Sequence, residues 1–450
     1  MHSVFLLIGV GMGITNVNGQ QPVKLITLDP GHFHAALVQK SMYPQVAPTV
    51  YVYAKKGTDL DQHLAKIKAY NTTATAPTHW KEVVYEGDDY LSKMLTEKKG
   101  NVVVLAGNNQ LKTDYILKSI QSGFNVFSDK PMVINEKGFG QLKQAFETAK
   151  KNKVLLYDIM TERYEITTIL QRALSMQTTL FGTLQKGTEA EPAVTKESVH
   201  HFYKYVSGSV LTRPAWFLDV EQEGEGIVDV TTHLVDLVQW ECFPGQTLDY
   251  TKDIKLTSAK HWSTIISKDQ FSELTKLPEI PDYLKKYSDD KKKNIKVMSN
   301  GEINYTLKGV HAKVSVIWNY KAPDGTGDTH YSIMRGTKAN LIIRQAAEQQ
   351  YKPTLYIEPL IHTAAYEKEL LTVIKKIAQQ YKGVSVKKND KGWEVIIPES
   401  FKEGHESHFA RVTEKYLDYL SNHTMPAWEV PNMLAKYYTT TQAQKLANKK

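Results

Sequence analysis

Cysteine is almost missing from this chain. Cys242 is the one cysteine in 450 residues, which rules out an internal disulfide framework and any zinc site built on thiolates. It stands in an apolar setting and reads as packing. Arginine-rich arms and aromatic-basic RNA motifs are absent as well. The net charge of +8 is spread along the sequence. Its one dense run, Lys291-Lys292-Lys293, follows Asp289-Asp290 and reads as a solvated loop, so nucleic acid is not an expected partner. The apolar run from Val4 to Ile14 is too short to span a membrane. A polar patch ending Val17-Asn18-Gly19-Gln20 follows it, so residues 1–20 read as an export signal, although the leading region lacks Lys and Arg. Neither a twin arginine nor a cysteine for a lipid anchor accompanies it. The mature chain is therefore expected to be periplasmic or secreted. There is no internal repeat.

Composition is otherwise ordinary for a globular protein, with 41% apolar and 23% charged residues, and the length suffices for two domains. From residue 23 to 157 short β-rich runs (23–28, 50–54, 102–106, 125–128, 154–157) alternate with helical segments (59–70, 112–122, 137–151). That alternation predicts a doubly wound parallel sheet over 21–160. Its ligand edge lies at the strand C-termini. Gly31, His32 and Phe33 fall there, with Lys55, Gly107, Asn108, Asn109, Asp129 and Lys130, and these are the candidate cofactor-binding residues. Residues 161–450 have a different texture, with long alternating runs such as Glu302 to Tyr320. They predict an α+β domain with a large, mostly antiparallel, open-faced sheet, and helices at 363–381 and 406–421 packed on one face. The lysine-rich stretch 272–296 reads as a surface insertion.

Chemistry concentrates in Glu223-Gly224-Glu225-Gly226 and the helical pattern behind it. Two glycines let a backbone or ligand come close. On a helix, Asp229, His233, Asp236 and Trp240 would share a face about 60° wide, while Val230, Leu234, Val235, Leu237 and Val238 cover the rest. Such a helix should be buried, with its ionisable stripe turned to a partner or a cavity. Arg163, Trp216 and Asp236 are candidates for gripping a substrate, one by an apolar face and two by polar groups. His32 and His34 lie near the same edge as the strand ends and could join His233 around a metal. No His-x-x-x-His spacing supports this, and no metal is expected. His405-Glu406-Ser407-His408 opens a helix and suits capping or surface charge.

Asp129-Lys130-Pro131 after a strand, Ser122-Gly123-Phe124-Asn125-Val126 before it, Glu162-Arg163-Tyr164, and Gly224-Glu225-Gly226 followed by Asp229, His233 and Asp236 together resemble the Gfo/Idh/MocA family. The likeness runs from about 23 to 245 and more loosely to 440. It implies a Rossmann domain and NAD(P)-dependent oxidoreduction of a sugar or polyol, with Lys130, Asp229 and His233 as the catalytic set. Histidine titrates near neutrality and suits the base. Asp229 would orient it or pass on its proton, and Lys130 would stabilise an alkoxide. A homo-oligomer paired through the open sheet face is also implied.

Two departures stand out. The phosphate turn Asp29-Pro30-Gly31-His32-Phe33-His34 keeps one glycine of the usual Gly-x-Gly-x-x-Gly. After the second strand, Ala54-Lys55-Lys56 replaces the acid that would hold an adenosine ribose, which leans the expected cofactor from NAD towards NADP. A lyase or glycoside hydrolase acting on keto-sugars, with a recycled cofactor or none, is the alternative to a dehydrogenase.

Overall fold

The structure, a computed structural model, describes residues 22–206, 209–289, 294–323 and 325–449. The expected export signal at 1–20 and the lysine run at 291–293 lie outside the described residues.

Six strands form the first sheet: β1 (Leu25–Leu28), β2 (Thr49–Ala54), β3 (Lys81–Glu86), β4 (Val102–Leu105), β5 (Asn125–Asp129) and β6 (Leu156–Ile159). They are ordered β3-β2-β1-β4-β5-β6, and every neighbouring pair is parallel. The central strands are short apolar runs because helices cover both faces; β1 and β4 are buried at every position. The order turns between β1 and β4, which opens the crevice where such sheets take ligands. Helices flanking the crevice are capped by side chains. Asn108 accepts from the Gln110 N–H at 3.0 Å, and Asn135 accepts from the Gly138 N–H at 2.9 Å.

The second sheet has nine strands. Across it run Ile254–Ser267, Asn294–Leu307, Val310–Lys321, Val194–Tyr203, Thr329–Arg335, Ala339–Arg344, Thr354–Pro359, Gly392–Ile396 and Ser385–Asn389. Only Val310–Lys321 and Val194–Tyr203 pair in parallel; the other neighbours among the described residues are antiparallel. The alternating run from Glu302 to Tyr320 is thus not one strand. It turns at Lys308 and Gly309, both at positive φ (50° and 76°), the conformation of a tight two-residue hairpin.

Two expectations about packing are corrected. Helix Ala364–Gln380 does lie on the second sheet, through Leu370, Val373, Ile374 and Ile377. Helix His405–Asn422 instead returns to the first domain, where Phe409, Val412, Tyr416 and Leu417 join the core around β1 to β6. Phe409, Val412, Tyr416 and Tyr419 recur at three- and four-residue spacing, and that apolar stripe fits the first sheet's flank. The 272–296 stretch is not merely a surface insertion either. Phe271, Leu274, Leu284 and Ile295 are buried in a third core with Trp216, Phe217, Val316 and Trp318.

Candidate functional site

Gly226 shows why the glycine loop is needed. A Cβ there would sit 1.6 Å from the Ser299 carbonyl oxygen, and the Gly226 N–H donates to the Met298 carbonyl at 3.0 Å. The loop is pressed onto strand Asn294–Leu307, so the close approach is to backbone. Gly224, at φ 98°, packs on Ile134. This clamp sets the start of helix Thr231–Cys242 and so aims Asp229, two residues before the helix, and His233 at the end of β5.

The ionisable stripe divides between two environments. Asp229 is bonded to the ammonium of Lys130, not to His233, so it does not orient the histidine. Burial alone would lower the Lys130 pKa, but Asp229 and Asp129 overcome this and hold it charged. His233 has its Nδ1 buried with no partner. Burial and then the Lys130 charge push its pKa down to about 4, so the ring is neutral near pH 7. One turn on, Asp236 faces away from the cavity. It takes both guanidinium branches of Arg163 at 2.7 and 2.8 Å, and the Lys436 ammonium at 2.9 Å. Arg163 also bonds both oxygens of Glu429 at 3.1 Å. Arg163 and Asp236 are therefore committed to a buried ion network and do not grip a substrate. Trp240 stacks on the Arg172 guanidinium, 4.4 Å from its centre.

Lys130, Asp229 and His233 face a cavity of about 1040 Å³ between the two domains. His32, Phe33 and His34 enter it from the first domain, and His200, His330, Phe217 and Trp318 from the second sheet and its margin. His405 and His408 line it too, which corrects their reading as caps or surface charge. Helix His405–Asn422 starts without a side-chain cap, and its return to the first domain carries its first turn to the cavity mouth. Glu162, Glu223 and Arg213 are among its other polar lining residues. Burial, and then the neighbouring Asp229, raise the Glu223 carboxyl well above its usual range, against the opposing charges of Lys130, Lys112 and Arg213. Burial would raise Glu162 as well. The electrostatic pull of the neighbouring His330, His233, His405 and His408 instead holds it down to about 2.

Other predicted cofactor residues lie at the sheet edge but are engaged with one another. The N–H groups of Gly31 and His32 donate to the Ala106 carbonyl at 3.3 and 3.2 Å. Gly107 lies so close to the Asp29 carbonyl that a Cβ would meet it at 2.3 Å. Asn108 donates to Gln222 at 2.6 Å, and Asn109 to the Glu223 carbonyl at 2.7 Å. Lys55 is exposed at the end of β2, 3.8 Å from Asp88. Trp216 is not a sugar platform in the cavity. Its Nε1–H donates to Asp59 at 2.8 Å, and both residues lie over Gly31, 3.0 Å from where a Cβ would be.

Comparison with known proteins is decisive here. Residues 57–158 match the family described as "Oxidoreductase family, NAD-binding Rossmann fold", and residues 170–448 match "Putative oxidoreductase C terminal domain". The chain belongs to this oxidoreductase family. A crystal structure described as a "putative oxidoreductase" from Parabacteroides merdae is 56% identical, with 95% of this chain and 98% of that chain covered and a TM-score of 0.93. A Thermotoga maritima protein described in the same words is 13% identical over 95% of this chain and 98% of that one, at TM-score 0.59. Biliverdin reductase from Synechocystis sp., solved with biliverdin and NADP+, is 10% identical over 95% and 99%, at TM-score 0.56. These last two likenesses concern the fold. Among curated proteins none matches.

As a member, this oxidoreductase is NAD(P)-dependent. Its crevice fits such a cofactor at the reacting end, where Lys130 at the end of β5 opens on the cavity. At the pyrophosphate end Gly31 supplies a position without a side chain, which Trp216 and Asp59 now cover, while Gln222 holds the neighbouring Asn108. Sequence reasoning missed Asp59 because it stands five residues beyond β2, inside helix Thr58–Thr72, whereas the ribose acid was sought at the strand end. It also missed Glu162, Glu223, His200, His330 and Arg213. The signal for Glu162 was its place beside Arg163 in the same motif.

Proposed function

We propose that this oxidoreductase transfers hydride between NAD(P) and a secondary hydroxyl or its ketone on a sugar or polyol. One observation carries the reading: the Lys130–Asp229 pair and the unpartnered Nδ1 of His233 face one cavity at the reacting end of the crevice. Imidazoles and carboxyl groups beside Phe217 and Trp318 suit a ring with one apolar face and many hydroxyls. Lys130 would stabilise oxygen charge as it develops. His233, neutral near pH 7 because its pKa is depressed, would accept the hydroxyl proton, and Glu223 in its protonated form can donate a hydrogen bond. Gly31, Asn108 and Asp59 would hold the cofactor's phosphates and ribose once Trp216 and Gln222 release them; the cofactor itself supplies the hydride acceptor. Asp59 near the turn weighs towards NAD, and exposed Lys55 towards NADP.

A second reading has its own support. The Gly31 and His32 N–H groups are spent on Ala106, which favours acid–base cleavage of a keto-sugar or glycoside with a trapped cofactor or none. Denaturing the purified protein and identifying what it releases by mass spectrometry separates hydride transfer from cleavage without a cofactor. About one NAD(H) or NADP(H) per chain, or a thermal shift with added NAD(P), supports hydride transfer. The absence of both would sink it, and cleavage of keto-sugars would then be assayed. Export to the periplasm and pairing of two copies through the open sheet face belong to the same proposal. Trp262, Ile265 and Ile317 are exposed on that face, and light scattering of the purified chain tests the pairing.

A further inference from the structure

We propose that His32, His34 and Asp129 form a binding site for one divalent transition-metal ion, opening on the cavity beside Lys130. Spacing in the sequence gives only His-x-His, which is not enough for a site. The fold adds a carboxylate from a different strand end: β1 and β5 both end at this edge, with β4 between them. One ligand atom from each of the three residues lies within 4.8 Å of the others. Both imidazoles approach the same carboxylate oxygen of Asp129, with His34 Nδ1 at 2.9 Å and His32 Nδ1 at 3.8 Å. One histidine would satisfy that oxygen; two converging on it is the arrangement of a ligand set. Nitrogen and oxygen ligands about 2.1 Å from a zinc ion stand roughly 3.0–3.5 Å from each other. The present cluster is thus a fraction of an ångström to about an ångström from coordination.

The surroundings favour an ion as well. The His32 and His34 rings meet edge-on at 4.1 Å, and the His405 ring lies 5.2 Å from His34, a further donor within reach. Binding would displace two hydrogen bonds, the long one from the His34 backbone N–H to His32 Nδ1 at 3.3 Å and the one between His34 Nδ1 and Asp129 at 2.9 Å, and the metal–ligand bonds would replace them. Imidazole with carboxylate suits Zn²⁺ or another borderline ion rather than Ca²⁺ or Mg²⁺. The ion would have three protein ligands and an open position towards the cavity. There it would bind a substrate oxygen and polarise it, next to the ammonium of Lys130. This site does not depend on which reading of the reaction is right.

The test uses the full chain without a histidine tag, stripped with a chelator. Calorimetric titration with Zn²⁺ should show about one equivalent bound, and Co²⁺ should give the visible absorption of a four- or five-coordinate ion. His32→Ala and His34→Ala should each weaken binding at least tenfold, while His408→Ala, outside the set, should keep full occupancy. No stoichiometric binding by the wild type overturns the proposal, and this holds even if a variant fails to fold. Unchanged binding in a folded His32→Ala/His34→Ala double variant overturns it too, leaving a hydrogen-bonded imidazole–carboxylate pair.

Discussion

Lys130 has two duties that separate experimentally. Its ammonium faces the cavity, and it neutralises the buried Asp229. Lys130→Met should lower kcat by about 10²–10³, the usual cost of losing one preorganised donor. It should also destabilise the fold by roughly 3–5 kcal/mol, because a buried carboxylate loses its partner. Adding Asp229→Asn should recover most of the stability and none of the turnover. Recovery of both would mean that Lys130 only balances charge. The cavity histidines give a second prediction. His233 titrates at about 4 in the folded chain, and burial also pushes His32 and His34 well below 6.5. Between pH 6.5 and 4 the unfolded chain therefore binds more protons than the folded one. Stability should be flat above about pH 7 and fall as pH drops through this window. Each group contributes about 1.4 kcal/mol for every pH unit that separates its folded from its unfolded titration. His405 also titrates low, at about 4, but it is exposed to the cavity and its share is screened. Tm measured against pH checks the prediction; a Tm that holds constant from 7 to 4.5 would contradict neutral buried imidazoles.

Among the elements, the glycine loop is the most sharply constrained. Gly226→Ala would force a methyl into the Ser299 carbonyl, which belongs to a sheet backbone and cannot yield cheaply. A loss at or above the usual overpacking cost of about 1–3 kcal/mol is expected, read as a drop in denaturation midpoint. Gly245→Ala makes a useful contrast: it has positive φ with open space around it, so only conformational strain of about 1 kcal/mol is expected. Equal effects would show that the clamp on Ser299 is loose. Elements of this kind were legible where local pattern decides. The buried strands β1, β4 and β5 announce themselves by apolar runs, and the helices between them by the alternation of segments. β3 does not, since Lys81-Glu82-Val83-Val84-Tyr85-Glu86 is a largely exposed edge strand with charged ends. The Lys308-Gly309 hairpin hid inside one alternating run because register carries across a two-residue turn. The final helix, Glu429–Ala447, hid because polar and apolar residues are buried all round it. Motif and helix phase pointed to Lys130, Asp229 and His233, and the fold brings these three to one cavity. The Arg163–Asp236 pair was misplaced because phase on a helix does not say what stands opposite.

What stands opposite is a matter for the whole molecule. Lys436, on the last helix, is fully buried between Asp158 of β6 at 2.6 Å and Asp236 of the second domain at 2.9 Å. Arg163 links the same Asp236 to Glu429, and the Tyr437 hydroxyl donates to Asp158 at 2.8 Å. One connected network thus ties the first domain, helix Thr231–Cys242 and the C-terminal helix into a single unit. Its charges are buried, so removing one leaves others without compensation. Lys436→Met should therefore cost about 3–5 kcal/mol. Because both domains share the loss, the chain should still unfold in one transition at a lower midpoint. Far-ultraviolet circular dichroism and tryptophan fluorescence should report it together, since all but one of the seven tryptophans lie outside the first domain's sheet region. Two separated transitions in the wild type would show that the domains are only loosely joined. The cavity between them would then not be a fixed site, and Lys130 and His233, one from each domain, could not be held in register for catalysis.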